Sequence, residues 1–145
     1  MSCYPFDKKE CEEYSDRRKQ ISIQEKGKKY LANNKNEKLV SVSRIDDCLI
    51  KDGNKCDFLL LNCDNKQAYF IELKGSNLLH AVDQISTSID RIGGKLSEFK
   101  INGRIVPSRV YPPDIRSNKV KRLEKQLKKM GGKLAKKAMV FEENL

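Results

Sequence analysis

The chain has 145 residues, of which 34% are charged and 38% hydrophobic, a balance typical of one soluble globular domain and unlike that of a disordered segment. No stretch approaches the ~20 apolar residues of a transmembrane helix, and residues 1–19 lack the apolar segment of a secretory signal. These features predict a cytoplasmic protein without a membrane partner.

The first third of the chain is predicted to be partly irregular and partly helical. Residues 1–20 are highly charged and show little apolar periodicity. A helix is predicted over residues 22–33, because Ser22 followed by Glu25 matches a capping box and the apolar residues fall on one side. The polar run after residue 33 would end this helix.

Three strands are predicted next. Residues 39–50 are rich in Val, Ile and Leu, and residues 56–62 contain an uninterrupted apolar run typical of a strand buried on both faces. Residues 67–74 form the third. The turns between them carry an Asp-Gly pair at residues 52–53 and the polar residues 64–66. Short turns predict an antiparallel meander.

The remainder alternates helices and strands. Apolar residues spaced by three and four predict a helix over residues 77–92, which Gly93 would end. Residues 103–111 resemble a strand, and residues 118–130 a basic amphipathic helix with Val120, Leu123, Leu127 and Met130 facing inward. Residues 135–141 are predicted to form a last strand. The order α-βββ-α-β-α-β predicts a single α/β domain spanning residues 1–145 with a mixed sheet.

The charge is unevenly distributed. The net charge is +10, and residues 115–140 contain ten Lys or Arg against one Glu, whereas residues 39–114 sum to zero. A basic end beside a neutral core is the electrostatic footprint of a nucleic-acid-binding protein. The alternative is a solvated basic helix that only keeps the protein in solution.

The cysteine content argues against a secreted disulfide framework. The count of five is odd, no signal precedes it, and no CxxC pair occurs. All five are therefore expected to be reduced and none to be catalytic. A zinc site is the alternative, but the spacings are not a zinc signature. Its ligands would be Cys3, Cys11, Cys48 and Cys56.

Two carboxylates and a lysine are predicted to converge at one end of the meander. Asp57 opens the second strand, and Glu72 and Lys74 lie two residues apart on the third, so they point to the same face. Antiparallel pairing through the short turn places the start of one strand beside the end of the next. An exposed cross-strand ion pair is the alternative, but charges among so many apolar residues need a reason.

This arrangement suits a hard divalent cation. Mg²⁺ prefers oxygen ligands and keeps several waters, so Asp57, Glu72 and the backbone carbonyl of Leu73 are candidate ligands. A metal-bound water of lowered pKa can attack a phosphodiester. Lys74 is placed to orient that water or to offset charge in the transition state.

Asp57, Glu72 and Lys74, with the helix over residues 77–92 behind them, resemble the signature of the PD-(D/E)xK, or restriction-endonuclease-like, nuclease superfamily. The resemblance covers about half the chain, residues 39–111. It implies an α/β restriction-endonuclease-like core, α-βββ-α-β, with a mixed central sheet flanked by helices. It also implies Mg²⁺- or Mn²⁺-dependent hydrolysis of DNA or, less often, RNA. The residue before Asp57 is Cys56, where the family's pattern has proline.

Members of this family often add an acidic residue from the first helix and a polar residue from the helix after the lysine. Glu25 is the candidate for the first role, although it also fits as the capping partner of Ser22. Asp46 and Asp47 are alternatives. Gln84 is the candidate for the second role, with His80 one turn earlier on the same face.

The basic helix is the predicted nucleic-acid interface. Its polar face can contact phosphates without reading bases, and aromatic residues are sparse there, so little base specificity is expected. The predicted contacts are Lys119, Lys121, Arg122, Lys125, Lys128 and Lys129.

The sequence therefore predicts a Mg²⁺-dependent phosphodiesterase, more in keeping with an endonuclease than an exonuclease, acting on DNA in repair, recombination or defence against foreign DNA. RNA is the alternative substrate. A non-catalytic nuclease-fold relative serving as a nucleic-acid-binding or assembly module is the main rival, and a basic structural protein of a nucleoprotein particle is a second. A homodimer, needed for a double-strand cut, and a larger protein complex are both compatible with the sequence.

Overall fold

The computed structural model describes residues 2–73, 77–110 and 112–145. This part of the chain forms nine strands and three α-helices, with short 3₁₀ turns at Lys9–Cys11 and Gly93–Leu96. The strands are β1 (Glu12–Asp16), β2 (Gln20–Glu25), β3 (Lys28–Asn33), β4 (Val40–Arg44), β5 (Phe58–Asn62), β6 (Gln67–Glu72), β7 (Lys100–Ile105), β8 (Leu134–Lys136) and β9 (Val140–Asn144); the helices are α1 (Leu78–Ile92), α2 (Pro112–Ile115) and α3 (Asn118–Lys129).

A six-stranded mixed sheet is the centre of the fold, in the order β1-β4-β5-β6-β7-β8. The predicted meander is confirmed, because β4 pairs with β5 and β5 with β6, both antiparallel. Helix α1 then leads from β6 to its parallel neighbour β7, and α3 leads from β7 to the parallel β8. Asn77 caps α1 by accepting a hydrogen bond from the N–H of His80.

Strand β5 is buried along its whole length, so both faces of the sheet must be covered. On one face, Leu59 and Leu61 pack in a cluster with the apolar sides of α1 and α3. On the other, Phe58 and Leu60 pack against a separate three-stranded sheet. The fold therefore has three layers: helices, the six-stranded sheet and the small sheet.

The predicted helix over residues 22–33 is wrong, because these residues form the β2–β3 hairpin. Ile21 and Ile23 alternate with exposed polar residues along β2, so the period is two rather than 3.6. The turn at Lys26 and Gly27 has positive φ values of 48° and 79°, which glycine adopts readily. This alternation, together with the turn, outweighs the Ser22–Glu25 capping pattern.

The small sheet has the order β2-β3-β9, with β9 parallel to β3. The protein is thus a mixed α/β fold with two mixed sheets, but the expected flanking by helices holds for one face only. The other face is covered by strands in the described part of the chain, which differs from the α-βββ-α-β order expected from the resemblance.

Several element boundaries also differ from the predictions. The N-terminal 20 residues include β1, which pairs with β4, and the last predicted strand divides into β8 and β9. Met130, predicted to face inward, is 37% exposed. None of the helices within the described ranges combines the length and apolarity needed to cross a bilayer.

Two disulfides correct the prediction that all cysteines are reduced. Cys3 bonds to Cys63 and Cys11 to Cys48, while Cys56 is free and buried. The bonds join residues 60 and 37 positions apart, so sequence spacing carries no sign of them. In the chain-entropy view, closing loops of this size stabilises a fold by about 4 kcal/mol each. These bonds tie the N-terminal segment to the main sheet.

Thiol titration checks this pairing. In denaturant without reductant, we expect one reactive thiol per chain, that of Cys56, and five after reduction. In the native protein Cys56 should react slowly, because burial keeps its pKa well above the usual value. Five thiols titrating in denaturant before reduction would contradict the pairing.

Candidate metal site and nucleic-acid interface

The β5–β6 register brings Asp57 and Glu72 together. Phe58 lies opposite Ile71, so continuing the same register by one residue places Asp57 opposite Glu72. Residues directly opposite in antiparallel strands have Cβ atoms about 5 Å apart. By the alternation of each strand, both carboxylates face the side of the sheet that α1 covers.

Both carboxylates are removed from solvent. Asp57 is 2% exposed and Glu72 is 1% exposed. The N–H of Leu73 donates to Asp57 Oδ2 at 2.6 Å, and the carbonyl of Asp57 accepts from the N–H groups of Ile45 and Asp46 at 2.9 and 3.3 Å. Asp57 is thus held through its side chain and its backbone, which makes it a rigid ligand.

The pKa of the neighbouring Cys56 thiol is influenced by both carboxylates. Burial raises the pKa of Cys56 well above its usual value, and the Coulombic influence of Glu72 and Asp57 raises it further, while a hydrogen bond with Ser88 acts in the opposite direction. Both carboxylates therefore lie close enough to Cys56 to disfavour a third negative charge.

A small polar pocket of about 180 Å³ opens over Asp57. Its walls are the loop before β5 and the first two turns of α1. Gln84 and His80, which the sequence proposed as neighbours of the site, both lie here. The residues that line it are Asp46, Gly53, Asn54, Lys55, Asp57, His80 and Gln84.

Side chains on one face of α1 hold the loop that forms the pocket wall. Gln84 Nε2 donates to the carbonyl of Lys55 at 3.1 Å, and Ser88 Oγ accepts from the N–H of Cys56 at 2.8 Å. Arg91 donates to the carbonyl of Asp52 at 2.6 Å. Ser88 and Arg91 were not among the predicted site residues. Ser88 follows Gln84 by four residues and Arg91 follows Ser88 by three, and this helical spacing was the available signal.

Gln84 has a second atom at the site. Its Nε2 is engaged by the loop, and its Oε1 is buried and accepts no hydrogen bond from any residue in the described ranges. A buried acceptor beside a polar pocket is the kind of group that a water or a ligand donor satisfies. The expectation that Gln84 touches water or substrate at this site is compatible with this placement.

Other predicted site residues lie elsewhere. The segment expected to be a helix carrying Glu25 is strand β2. Arg44 Nη1 donates to Glu25 Oε1 at 3.5 Å, and Glu25 lines a pocket separate from the one over Asp57. Of the two alternatives, Asp46 lines the pocket over Asp57, whereas Asp47 is exposed in a left-handed turn with φ 58°. Lys74 lies outside the described residues.

The donor set fits a hard divalent cation. No cluster of three or more His, Cys, Asp or Glu able to hold a metal occurs within the described ranges. Asp57 and Glu72 supply two hard oxygen ligands, which suits Mg²⁺ because this ion keeps several waters of its own. The carbonyl of Leu73, the third predicted ligand, is part of the residue whose N–H donates to Asp57 Oδ2, so its backbone lies beside Asp57.

Helix α3 presents a positive face to solvent. Val120, Leu123 and Leu127 are buried on its inner side. At about 3.6 residues per turn, the opposite third of the helix carries five exposed positive charges. They are Lys121, Arg122, Lys125, Lys128 and Lys129.

Lys119, the sixth predicted contact, is on the flank of α3 that faces α1. Its Nζ lies 2.8 Å from Asp83 Oδ2, and Gln126 on the same flank donates to Asp90 at 3.4 Å. Five of the six predicted nucleic-acid contacts therefore lie on the outer face of α3. The contact between Lys119 and Asp83 also shows where α3 begins relative to the pocket. Asp83 follows the pocket residue His80 by three residues, so the start of α3 lies about one turn along α1 from the pocket.

Comparison with known proteins finds no matching family model, no matching curated protein and no matching solved structure. The resemblance to PD-(D/E)xK nucleases therefore rests on the sequence pattern of Asp57, Glu72 and Lys74.

Divalent-cation binding can be tested by thermal unfolding. We expect Mn²⁺ to raise the melting temperature of the wild type, since a ligand at a hundred times its Kd stabilises a fold by about 2.7 kcal/mol. Asp57→Asn and Glu72→Gln should lose this rise while remaining folded, because Asn retains an acceptor for the Leu73 N–H and each change removes one of two facing charges.

The matched control is Glu98→Gln, which neutralises an exposed glutamate in the turn before β7. It should respond to Mn²⁺ as the wild type does. An equal rise in Asp57→Asn would place the cation elsewhere.

Proposed function

We propose that this protein is a Mg²⁺- or Mn²⁺-dependent nuclease that hydrolyses phosphodiester bonds of DNA, with RNA as the second substrate class. The observation that carries the proposal is the pair of buried carboxylates, Asp57 and Glu72, which lie opposite each other at the end of two paired strands, with Asp57 lining a polar pocket. The start of α3 lies about one turn along α1 from this pocket.

Energetics favour a functional over a structural reason for the pair. Removing a carboxylate from water costs several kcal/mol even after relaxation, and two facing carboxylates add repulsion. A hydrophobic pair at the same positions would cover the sheet end at no such cost. A cation between the carboxylates would offset both penalties.

The chain's own groups divide the proposed reaction between them. A divalent cation, when bound, lowers the pKa of its water and polarises the phosphate. Asp57 and Glu72 would hold it, and the hydrogen bonds to Asp57 keep that carboxylate in place. Gln84 lies at the pocket wall, where its Oε1 can accept a hydrogen bond from water. Lys74, two residues after Glu72, is assigned to orienting the water or to offsetting charge in the transition state.

The charged face of α3 is assigned to binding. Positive side chains four residues apart on a helix repel one another by a few tenths of a kcal/mol per pair, and Lys121, Lys125 and Lys129 are spaced in this way. A phosphate backbone relieves that repulsion. Because lysines contact phosphates as point charges, binding through this face carries little base specificity.

Cleavage assays test the catalytic assignment. We expect Mg²⁺-dependent cutting of plasmid DNA by the wild type, and a loss of at least about a hundredfold in Asp57→Asn, Glu72→Gln and Lys74→Ala, since removing a single transition-state contact costs that much in other enzymes. DNA affinity should remain near the wild-type value in Lys74→Ala.

Glu98→Gln serves again as the control and should cut normally. If the wild type binds DNA and Mn²⁺ without cutting DNA or RNA, the domain is a nucleic-acid-binding module and the catalytic proposal fails. Wild-type cutting by Lys74→Ala would remove that lysine from the mechanism.

Salt-dependent binding tests the α3 face. Replacing Lys121, Lys125 and Lys128 by Gln should lower the slope of log affinity against log salt by up to about three, because each phosphate contact on duplex DNA contributes about 0.9. The fold should survive, since Gln is a good helix former and the buried residues are unchanged.

The control triple is Lys19, Lys35 and Lys66, three exposed lysines replaced by Gln. Lys19 and Lys35 flank the far end of the β2–β3 hairpin, and Lys66 lies in the β5–β6 turn, away from Asp57. Equal slopes for the two triples would show that α3 is only a solvated face.

A further inference from the structure

A second basic surface lies at the end of the six-stranded sheet where the strands β6, β7 and β8 finish, which is also the end that carries the candidate site. It is built from segments distant in sequence. We call it the basic rim, and it consists of Lys26, Lys29, Lys136 and Lys137. Of these, Lys26 and Lys137 are exposed. Only the tertiary structure brings these residues together, and none of them belongs to α3.

Backbone hydrogen bonds join the three segments of the rim. The N–H of Lys29 donates to the carbonyl of Met139 at 2.9 Å, and the N–H of Met139 donates to the carbonyl of Pro107 at 3.0 Å. The N–H of Lys137 donates to the carbonyl of Ile105 at 3.2 Å. The β2–β3 turn, the chain after β7 and the β8–β9 turn therefore form one continuous surface.

Strand register places the rim close to the carboxylate pair. Glu72 lies opposite Ile105, and Ile105 lies opposite Lys136, so Lys136 is two strands away from Glu72 along the same edge. At about 4.8 Å per strand, their backbones are about 10 Å apart. One turn of a nucleic-acid backbone spans more than this distance, so one strand can reach both.

Lys26 and Lys29 of the rim lie on the opposite face of the six-stranded sheet from α3, whereas the alternation along β8 turns Lys136 to the α3 face. Helix α3 packs with α1 on one face, whereas Lys26 and Lys29 belong to the small sheet that covers the other face. The carboxylate pair lies at the edge between them. Positive charge thus flanks the candidate site on both sides.

The charge of the rim is strongly unbalanced. Glu25 is the acidic residue of the β2–β3 turn, and it is engaged by Arg44 at 3.5 Å. The turn lines a depression of about 440 Å³ together with Gln24 and Val140. Like charges this close, within about one Debye length, repel one another, and a polyanion lying across them removes that repulsion.

We propose that the basic rim binds the phosphate backbone of the nucleic-acid substrate on the side of the scissile phosphate opposite to α3. This inference rests on the proposed nuclease function and extends it, since the substrate would cross the sheet edge and be held on both sides of Asp57 and Glu72. The rim supplies lysine contacts, which fix position on a backbone rather than read bases.

The test compares two double variants in an Asp57→Asn background, which prevents cleavage during binding. The rim variant is Lys26→Gln with Lys137→Gln, and the control is Lys19→Gln with Lys35→Gln, at the other end of the same small sheet. Gln keeps a Cβ at Lys26, so the backbone cost of its φ of 48° is unchanged. Affinity for a labelled DNA duplex is measured across a salt series.

We expect the rim variant to lower the slope of log affinity against log salt by up to about two, and the control to leave it unchanged. Combining the rim variant with the α3 triple should give additive losses, because Lys26 and α3 are on separate faces of the sheet.

Equal slopes for rim and control, with strong binding by the Asp57→Asn parent, would overturn the rim while leaving the nuclease proposal intact. An absence of binding by the parent to DNA and RNA alike would overturn both. A third outcome would also overturn the proposal. If the rim variant still binds nucleic acid like its parent but no longer binds an acidic peptide that the parent binds, the rim belongs to a protein partner.

Discussion

The pairing of β5 with β6 is the constraint on which the rest of this structure depends. Its register sets Asp57 opposite Glu72, and a slip of one residue would turn one carboxylate toward the small sheet instead of α1. The register is firmly specified because both strands are almost fully buried, so each side chain has a cavity of its own shape to fill. The same burial that defines the core thus also defines the candidate site.

Burial on both faces explains why the two covering layers are so different. The helix layer supplies Gln84, Ser88 and Arg91, which hold the loop before Asp57. The strand layer is anchored to the main sheet by Arg104, which is 3% exposed and donates to Glu143 Oε2 at 2.7 Å. Removing Glu143 would leave the buried Arg104 guanidinium without this partner, which is destabilising. This contact keeps β9, and with it the β8–β9 turn, in place.

Much of the candidate site was predictable because it is local. Asp57 and Glu72 are joined by one short hairpin, so alternation and turn chemistry suffice to place them together. Helix α1 follows directly and has a clear apolar period. The hairpin at residues 20–33 was mispredicted because its strands are short and Ser22 and Glu25 imitate a helix start. The small sheet decides between a hairpin and a helix at these residues, and strand β9 with Phe141 completes that sheet from the far end of the chain.

The amino-acid sequence by itself determined the meander, α1, the basic α3 and the facing carboxylates, since each depends on contacts between neighbouring segments. Only the tertiary structure decided the disulfide partners, the small sheet and the basic rim. These join residues tens of positions apart, as Cys3 with Cys63 or Lys29 with Val140. Such contacts are selected by the packing of the whole chain, because loop closure costs entropy that only the assembled core can offset.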